Sequence, residues 1–195
     1  PKVKKIFESL LRKHYFEDQF CKCNILWGDA RKKINLIPSD IKFDLIYLDG
    51  FSPQKCPQLW TIEFLSKVTQ KLNPQGYLIT YSSSAAVRKT IRNLGLDIFT
   101  IKRNINSRKL WSQGTIAIAK FDKNILKSNF NFEKLSVMEE EHLLTKASIP
   151  YRDKDLNSSK DDIISKRLNE QLSSNLLSTK KWREKWGMTK SAFKS

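Results

Sequence analysis

The chain has 195 residues, 39% of them hydrophobic, which is enough to build one domain with a core and an appendage. No apolar run approaches the about 18 residues of a membrane span, and no signal-peptide pattern opens the chain, so we expect no membrane partner and a cytoplasmic location. The formal net charge of +16 favours nucleic acid as a partner, although general solubility or a proteome-wide lysine bias would give the same excess.

The chain begins with an alternation of predicted helices and strands. Residues 3 to 14 place apolar side chains at helical spacing with basic residues opposite, which predicts an amphipathic helix. A short strand is predicted from Cys23 to Trp27, ended by Gly28 and Asp29. Residues 30 to 37 then predict a short helix, which Pro38 stops.

A nearly continuous apolar run at residues 43 to 48 is typical of a strand covered on both faces in a parallel sheet. The run ends at Asp49, and a carboxylate at the end of a central parallel strand lies where open α/β sheets bind ligands. Gly50 permits a tight turn or a close approach of the backbone to a ligand. On this pattern alone, an ordinary strand exit with a solvated aspartate explains Asp49 equally well.

The alternation continues beyond this strand and predicts a mostly parallel α/β sheet. Ser82 to Ser84 can cap a helix that starts at Ala85, and Gly95 fits the residue just past its end. The predicted elements are a helix at 60–72, a turn at 73–76, a strand at 77–81, a helix at 85–94 and two antiparallel strands at 98–101 and 115–121, with a basic loop at 102–114 between them.

After about residue 123 the hydrophobic density falls, and the chain predicts a basic helical extension. Ser136 and Glu139 fit a capping box, and residues 161 to 172 form another amphipathic segment. Trp182 and Trp186 lie four apart and share a helical face among basic residues. We therefore divide the chain into a domain at 1–122 and a tail at 123–195 that packs partly on it, with a distal end suited to disorder when unbound.

The three cysteines, Cys21, Cys23 and Cys56, give no even framework, and the Cys-x-Cys pair has no second pair or His cluster nearby. We expect reduced thiols and no metal. No dinucleotide fingerprint is present, so we also expect no flavin in this chain.

One stretch of the sequence carries a family resemblance. The string LDGFSP at residues 48 to 53, followed by Pro57 and Trp60, resembles the methyltransferase domain of MnmC-type enzymes. The LDGF-plus-PxxW pattern is fairly specific. The resemblance covers roughly residues 24 to 120, and its more generic parts are Gly28-Asp29-Ala30, the GYLITYS string at residues 76 to 82 and Val87-Arg88.

The resemblance implies a Rossmann-like sheet that uses S-adenosylmethionine (SAM) to methylate the 5-aminomethyl group of the wobble uridine of tRNA. It implies tRNA as partner and an oxidoreductase domain, separate or fused, in the same pathway. The first two strands of that fold have no counterpart in this sequence. The glycine-rich SAM loop is also absent, because no two of the six glycines lie within three positions of each other. We therefore expect an incomplete sheet, a fragment of a longer enzyme, and weak SAM binding by this piece alone.

The resemblance also implies roles for individual residues near the cofactor. Asp49 is the expected catalytic residue, because a carboxylate beside the substrate amine can hydrogen-bond it and accept or relay its proton. Asp29 is expected to accept a hydrogen bond from the adenine amino group, with a helix N-cap as the alternative role. The remaining cofactor-binding positions are Ala30, Leu48 and Gly50.

Substrate contacts are expected around the same strand end. Phe51 and Trp60 could stack on a base extruded from the RNA, although two aromatics at this spacing are more often core residues. The basic loop could contact phosphates or be merely solvated. The expected substrate-binding residues are Phe51, Pro53, Trp60, Tyr81, Arg108 and Lys109.

Two other functions fit the same residues. The chain could methylate a different amine, or it could be a non-catalytic basic module that binds RNA or a protein partner.

Overall fold

The structure is a computed structural model that describes residues 2–101, 113–119 and 132–188. It forms two compact units, Pro1–Pro38 and Ser39–Ser195. Within the described residues, no helix is both long enough and apolar enough to cross a membrane.

The first unit consists of a helix, a hairpin and a short second helix. The Asp18 carboxylate closes the hairpin turn by accepting hydrogen bonds from the backbone N–H groups of Phe20 and Cys21, both at 2.8 Å. The elements are α1 (Lys2–Lys13), β1 (Tyr15–Glu17), β2 (Lys22–Asn24), α2 (Ala30–Lys33) and a 3-10 turn (Ile34–Leu36).

These elements confirm the helices predicted for residues 3–14 and 30–37. The strand predicted for residues 23–27 is shorter, and it does not join the main sheet. It is β2, which pairs antiparallel with β1 in a two-stranded sheet of its own. The hairpin turn brings β1 and β2 together, so their backbone groups pair with each other.

The second unit is built on a five-stranded sheet with the order β3-β4-β6-β5-β7. Only the β3–β4 pair is parallel among the described strands, and the other three pairs are antiparallel. The strands are β3 (Phe43–Tyr47), β4 (Leu72–Thr80), β5 (Asp97–Ile101), β6 (Thr115–Ile118) and β7 (Phe132–Glu133).

The mixed α/β fold of the prediction is confirmed, but its mostly parallel sheet is wrong. Strands β3, β4 and β5 do point the same way, as the intervening helices predict. Strand β6 lies between β4 and β5 and runs against both, so it removes the second parallel contact. Alternation of helices and strands therefore predicted the direction of these strands correctly. It did not predict which strands lie next to each other in the sheet. The antiparallel pairing expected of the last two predicted strands is confirmed for β5 and β6.

Strand β3 is not covered on both faces, contrary to the prediction. It lies at the edge of the described sheet, with Leu45 44% and Tyr47 70% exposed. An apolar run indicates a strand, but coverage depends on which neighbours pack against it, and among the described residues only β4 pairs with β3.

The turn predicted at residues 73–76 is also wrong, because these residues lie inside β4. The β3–β4 register moves from Phe43 opposite Leu72 to Leu45 opposite Tyr77, so the extra residues form a bulge. Gly76 is required at this bulge, since a Cβ there would lie 2.9 Å from the Phe43 carbonyl oxygen.

Five helices complete the described part of the second unit. Gly95, at φ 92°, ends α4 with the predicted glycine cap: its N–H donates to the Arg92 carbonyl at 3.0 Å, and the Leu96 N–H donates to the Ile91 carbonyl at 3.4 Å. The Ser136–Glu139 capping box is also confirmed, at the start of α5. The helices are α3 (Ile62–Thr69), α4 (Ala85–Asn93), α5 (Val137–His142), α6 (Lys160–Ser173) and α7 (Thr179–Lys185).

The main core lies where α3 and α4 pack on the sheet. Strand alternation sends Leu78 to this side, while Tyr77 and Ile79 join a second apolar cluster around Phe99 and Phe132. Side chains that are fully buried include Trp60, Leu65, Leu78, Val87, Ile91, Ile118 and Ile163.

Residues 132–188 are packed into the second unit and are not a detached tail. The Ile62 N–H donates to the Tyr151 carbonyl at 3.0 Å, and the Glu63 carboxylate accepts from the Asp153 N–H at 2.8 Å. The predicted boundary at residue 122 and the distal end beyond residue 188 lie outside the described residues and stay predictions.

Candidate active site

The parallel strands β3 and β4 end side by side, and this end carries the candidate site. The Leu48 N–H donates to the Ile79 carbonyl at 2.9 Å, which extends the parallel pairing by one residue beyond β3. Leu48 is one of the expected cofactor-binding residues. Its side chain is buried and packs in the core. Asp49 follows it and is exposed, at the point where the two strands separate.

Tyr81 ties the two strand ends together. It is the residue after β4, and its phenol O–H donates to the Gly50 carbonyl at 2.8 Å. Partial burial raises the pKa of Tyr81, and the negative charge of Asp49 raises it further. The phenol therefore stays protonated at neutral pH and acts as a donor, which holds the turn that carries Asp49.

Trp60 holds the loop that follows Asp49 through a hydrogen bond to Phe51. Its side chain is 0% exposed, and its indole N–H donates to the Phe51 carbonyl at 2.8 Å. The indole meets the Tyr81 ring edge-on, with centroids 6.3 Å apart. Trp60 is therefore a core residue in this structure, which agrees with its alternative role. Stacking of Trp60 on a base stays a prediction.

Phe51 and Pro53, two other expected substrate-binding residues, differ in their exposure to solvent. Phe51 is 77% exposed and offers a ring to solvent. Pro53 is buried, and its contact with a substrate stays a prediction. After it the chain turns tightly, because the Ser52 carbonyl accepts from the N–H groups of Lys55 at 2.8 Å and Cys56 at 2.9 Å. The loop thus exposes one aromatic ring on a hydrogen-bonded frame.

Asp29 lies in the first unit and caps α2, which confirms the capping alternative. Its carboxylate accepts from the Arg31 backbone N–H at 2.9 Å and pairs with the Arg31 guanidinium at 2.7 Å. The hydrogen bond from the Arg31 side chain lowers the pKa of Asp29. Ala30 is the exposed first residue of α2. Adenine recognition by Asp29 and cofactor contact by Ala30 stay predictions.

Comparison with known proteins decides the family. A family profile described as S-adenosyl-L-methionine-dependent methyltransferase matches residues 2–115. The chain belongs to this family. The resemblance to MnmC-type proteins is confirmed by two further matches. The crystal structure of MNMC2 from Aquifex aeolicus matches 87% of this chain with a TM-score of 0.73 and 30% identity. The tRNA 5-methylaminomethyl-2-thiouridine biosynthesis bifunctional protein MnmC of Campylobacter hominis is 35% identical over 72 residues, which is 37% of this chain.

The chain spans about half or less of the length of the relatives named here. It corresponds to 52% of the Aquifex chain and 10% of the Campylobacter protein. An uncharacterized protein of Methanocaldococcus jannaschii is 30% identical over 167 residues, which is 85% of this chain and 43% of that protein.

The predicted phosphate contacts Arg108 and Lys109 lie outside the described residues. The basic helix α7 is described, and part of its charge is neutralised there. Lys185 pairs with Glu141 at 2.6 Å, and Lys180 approaches Glu184 at 3.9 Å. The other two basic side chains of α7, those of Lys181 and Arg183, are exposed.

Sequence reasoning missed one buried ion pair of this chain. Arg88 and Glu139 are 1% exposed each, and their side chains meet at 2.9 Å. Burial lowers the pKa of Arg88, and the bond to Glu139 opposes that shift. The available signal was positional: Arg88 lies beside Val87 and three residues before Ile91, on the apolar face of α4.

No group of three or more His, Cys, Asp or Glu side chains in the described ranges is placed to hold a metal ion.

Proposed function

We propose that this chain forms the substrate-amine side of a SAM-dependent methyltransferase that acts on the 5-aminomethyl group of the wobble uridine of tRNA. The observation that carries the proposal is the strand end at Asp49 and Tyr81. It combines an exposed carboxylate, a neutral phenol and an exposed ring within the LDGF stretch. Membership of the methyltransferase family, and the names of its MnmC relatives, support the reaction and the substrate.

The chemistry assigned to these residues begins with the amine, which must be neutral to attack. The exposed Asp49 carboxylate accepts a hydrogen bond from the amine and takes or relays its proton. Tyr81 keeps the turn in place through the Gly50 carbonyl, so that the carboxylate does not have to reorganise. Phe51 stacks on the extruded base.

SAM, when bound, supplies the electrophilic methyl group. The described residues fit only part of that molecule. The open strand end at Asp49 and Gly50 can face it, but the sequence has no glycine-rich loop to surround it, and both oxygens of Asp29 already bond Arg31. We therefore propose that the 195 residues alone bind SAM weakly and transfer no methyl group.

The same proposal extends to location and pathway. We propose action in the cytoplasm on tRNA. The word bifunctional in the name of the Campylobacter relative supports a second activity in the same pathway. We propose that this second activity is an oxidoreductase step, on the same polypeptide or another.

The test uses the protein as its gene encodes it, with tRNA that carries 5-aminomethyl uridine at the wobble position. The control is the same tRNA without the aminomethyl group. Mass spectrometry of digested RNA should show one added methyl on the wobble nucleoside of the first tRNA and none on the control. Binding of both RNAs without methyl transfer would instead favour a non-catalytic RNA-binding module. Transfer to another amine alone would show a different substrate.

A further inference from the structure

The buried Arg88 makes three separate bonds, one through each nitrogen of its guanidinium. Its Nε donates to the Thr115 hydroxyl at 2.8 Å, and its Nη2 donates to the Gly114 carbonyl at 2.9 Å. Its Nη1 donates to the Glu139 carboxylate at 2.9 Å. A buried cation in this state is held in one orientation, because moving it would break charge-assisted bonds in a dry environment.

Thr115 links Arg88 to the residues just after β4 by two hydrogen bonds. Its hydroxyl accepts from Arg88 and donates to the Ser82 carbonyl at 2.6 Å. Thr115 is 0% exposed, so no solvent competes for either bond. The Ser82 N–H in turn donates to the Thr80 hydroxyl at 3.1 Å. Both sides of the peptide segment around Tyr81 are therefore fixed by buried groups.

Gly114 brings the backbones of β6 and β4 unusually close at the same place. A Cβ at Gly114 would lie 2.6 Å from the Thr80 carbonyl oxygen and 3.4 Å from the Tyr81 Cα. Any side chain would push the two segments apart. The second bond of Arg88, to the Gly114 carbonyl, holds the segment that makes this approach.

Tyr81 leads from there to the candidate site, since its hydroxyl holds the Gly50 carbonyl at 2.8 Å, next to Asp49. At the other end, Glu139 comes from the C-terminal segment. One carboxylate oxygen binds Arg88, and the other accepts from the Ser136 N–H at 3.0 Å and the Ser136 hydroxyl at 2.9 Å. The same carboxylate thus caps α5 and orients Arg88.

We propose that Arg88 is a positioning residue for the catalytic strand end, acting through Thr115, Ser82 and Tyr81, and that residues 132–188 complete it by supplying Glu139. This inference rests on the proposed function, because it assigns Arg88 to the geometry of the Asp49 site. It gives the C-terminal segment a part in the reaction that is distinct from any binding of RNA by its basic side chains.

The test removes the link without removing the ion pair. Thr115→Val keeps the shape of the side chain but deletes the hydroxyl between Arg88 and Ser82. In the full-length protein we expect kcat for tRNA methylation to fall about 10-fold, the scale of a small misplacement of reacting groups. The KM for SAM should change less than about 2-fold, because a lost orientation acts on the reacting geometry more than on cofactor binding. Thr115→Ser restores the hydroxyl and should restore kcat.

Thr100→Val is the matched control. Thr100 lies opposite Thr115 on β5, is buried to the same degree, and bonds the Gly114 carbonyl only at 3.4 Å. It makes no described bond to Ser82, so this variant should leave kcat near the wild-type value. Equal losses of kcat in the two valine variants would show a general packing effect and overturn the proposal.

Amide hydrogen exchange supplies a readout that does not depend on activity. Segments 48–52 and 79–84 should exchange faster in Thr115→Val than in Thr115→Ser or Thr100→Val. Unchanged exchange in both segments would overturn the inference. If the wild type methylates no amine, the proposed function fails, while the exchange comparison still decides whether Arg88 positions the strand end.

A second pair of variants serves if Thr115→Val does not fold. Glu139→Gln keeps the shape and the capping side chain but removes the charge that orients Arg88. Glu140→Gln weakens the neighbouring Arg92–Glu140 pair between the same two helices, which is half exposed. We expect kcat to fall at least about 3-fold in the first variant only, as for a smaller misplacement of the same groups. Equal kcat values in the two variants would contradict the proposal.

Discussion

Two carboxylates of this chain show opposite uses of the same chemical group. Asp49, at the end of β3, is exposed and lies on a loop that neutral donors hold in place. Glu139, at the start of α5, is 1% exposed, and a buried guanidinium and a serine use its oxygens. Solvent accessibility separates the carboxylate suited to chemistry from the carboxylate suited to structural support. A carboxylate can serve a substrate only where its acceptor sites remain reachable.

The largest expected effect is on stability and concerns the buried carboxylate. Glu139→Ala leaves Arg88 as a buried cation without its counter-ion, so the free energy of unfolding should fall by about 3–5 kcal/mol. Glu140→Ala, which removes an exposed pair between the same helices, should cost less than about 1 kcal/mol. Urea unfolding of both variants checks the difference. Similar losses would mean that burial does not distinguish the two pairs.

The next effect is on activity and concerns the exposed carboxylate. Asp49→Ala in the full-length protein should lower methyl transfer by at least about 100-fold, the scale of general acid–base help. Thermal stability should stay near that of the wild type, because the side chain is exposed. SAM affinity, measured by calorimetry, should change far less than the rate. Full activity of the variant, with SAM bound, would remove Asp49 from the mechanism.

A third effect is pH-dependent and concerns His142, which stacks on Trp182 with ring centroids 4.2 Å apart. Burial lowers the pKa of His142 to about 4, and the charges of Arg183 and Arg88 contribute. In the unfolded chain the imidazole is protonated below about pH 6.5, whereas in the folded protein it stays neutral down to about pH 4. The free energy of unfolding that depends on the neutral ring is therefore fully present above pH 6.5 and is lost as the pH falls toward 4. At pH 5 the loss should be about 2 kcal/mol.

The measurement for His142 is urea unfolding at pH 7 and pH 5, for the wild type and for His142→Phe. Phenylalanine keeps the stacked ring and removes the titration. The pH dependence of the variant should be smaller by the stated amount. Equal pH dependence in both proteins would mean that the ring is protonated in the folded state.

The smallest effect concerns RNA and tests whether the C-terminal segment also binds substrate. Lys181→Ala with Arg183→Ala should weaken the affinity of the full-length protein for every tRNA about equally and reduce the salt slope by roughly one to two units. Lys180→Ala with Lys185→Ala is the control in the same helix, because acidic residues already offset both lysines. An identical slope in the wild type and the first variant would limit the role of this segment to architecture.

Local signals in the sequence were enough for much of the fold. The apolar run followed by LDGF gave a strand, a sharp exit and an exposed aspartate, because each depends on neighbours a few residues away. The caps of α2 and α5 and the Gly95 ending of α4 followed from single residue types with local hydrogen-bonding roles. The family resemblance rested on the same local stretch.

Long-range packing decided the rest. Which strand lies beside β4, and whether β3 is covered, depend on where β6 inserts, and no local pattern encodes that position. The aromatic spacing of Phe51 and Trp60 was the same signal for both residues, yet one ring is exposed and the other is buried. The ion pair of Arg88 depends on α5, which brings Glu139 to it across 51 positions of sequence. The sequence by itself therefore determined which groups stand at the strand end. Tertiary contacts alone decided which of them water can reach, because burial is a property of the assembled neighbours rather than of the residue.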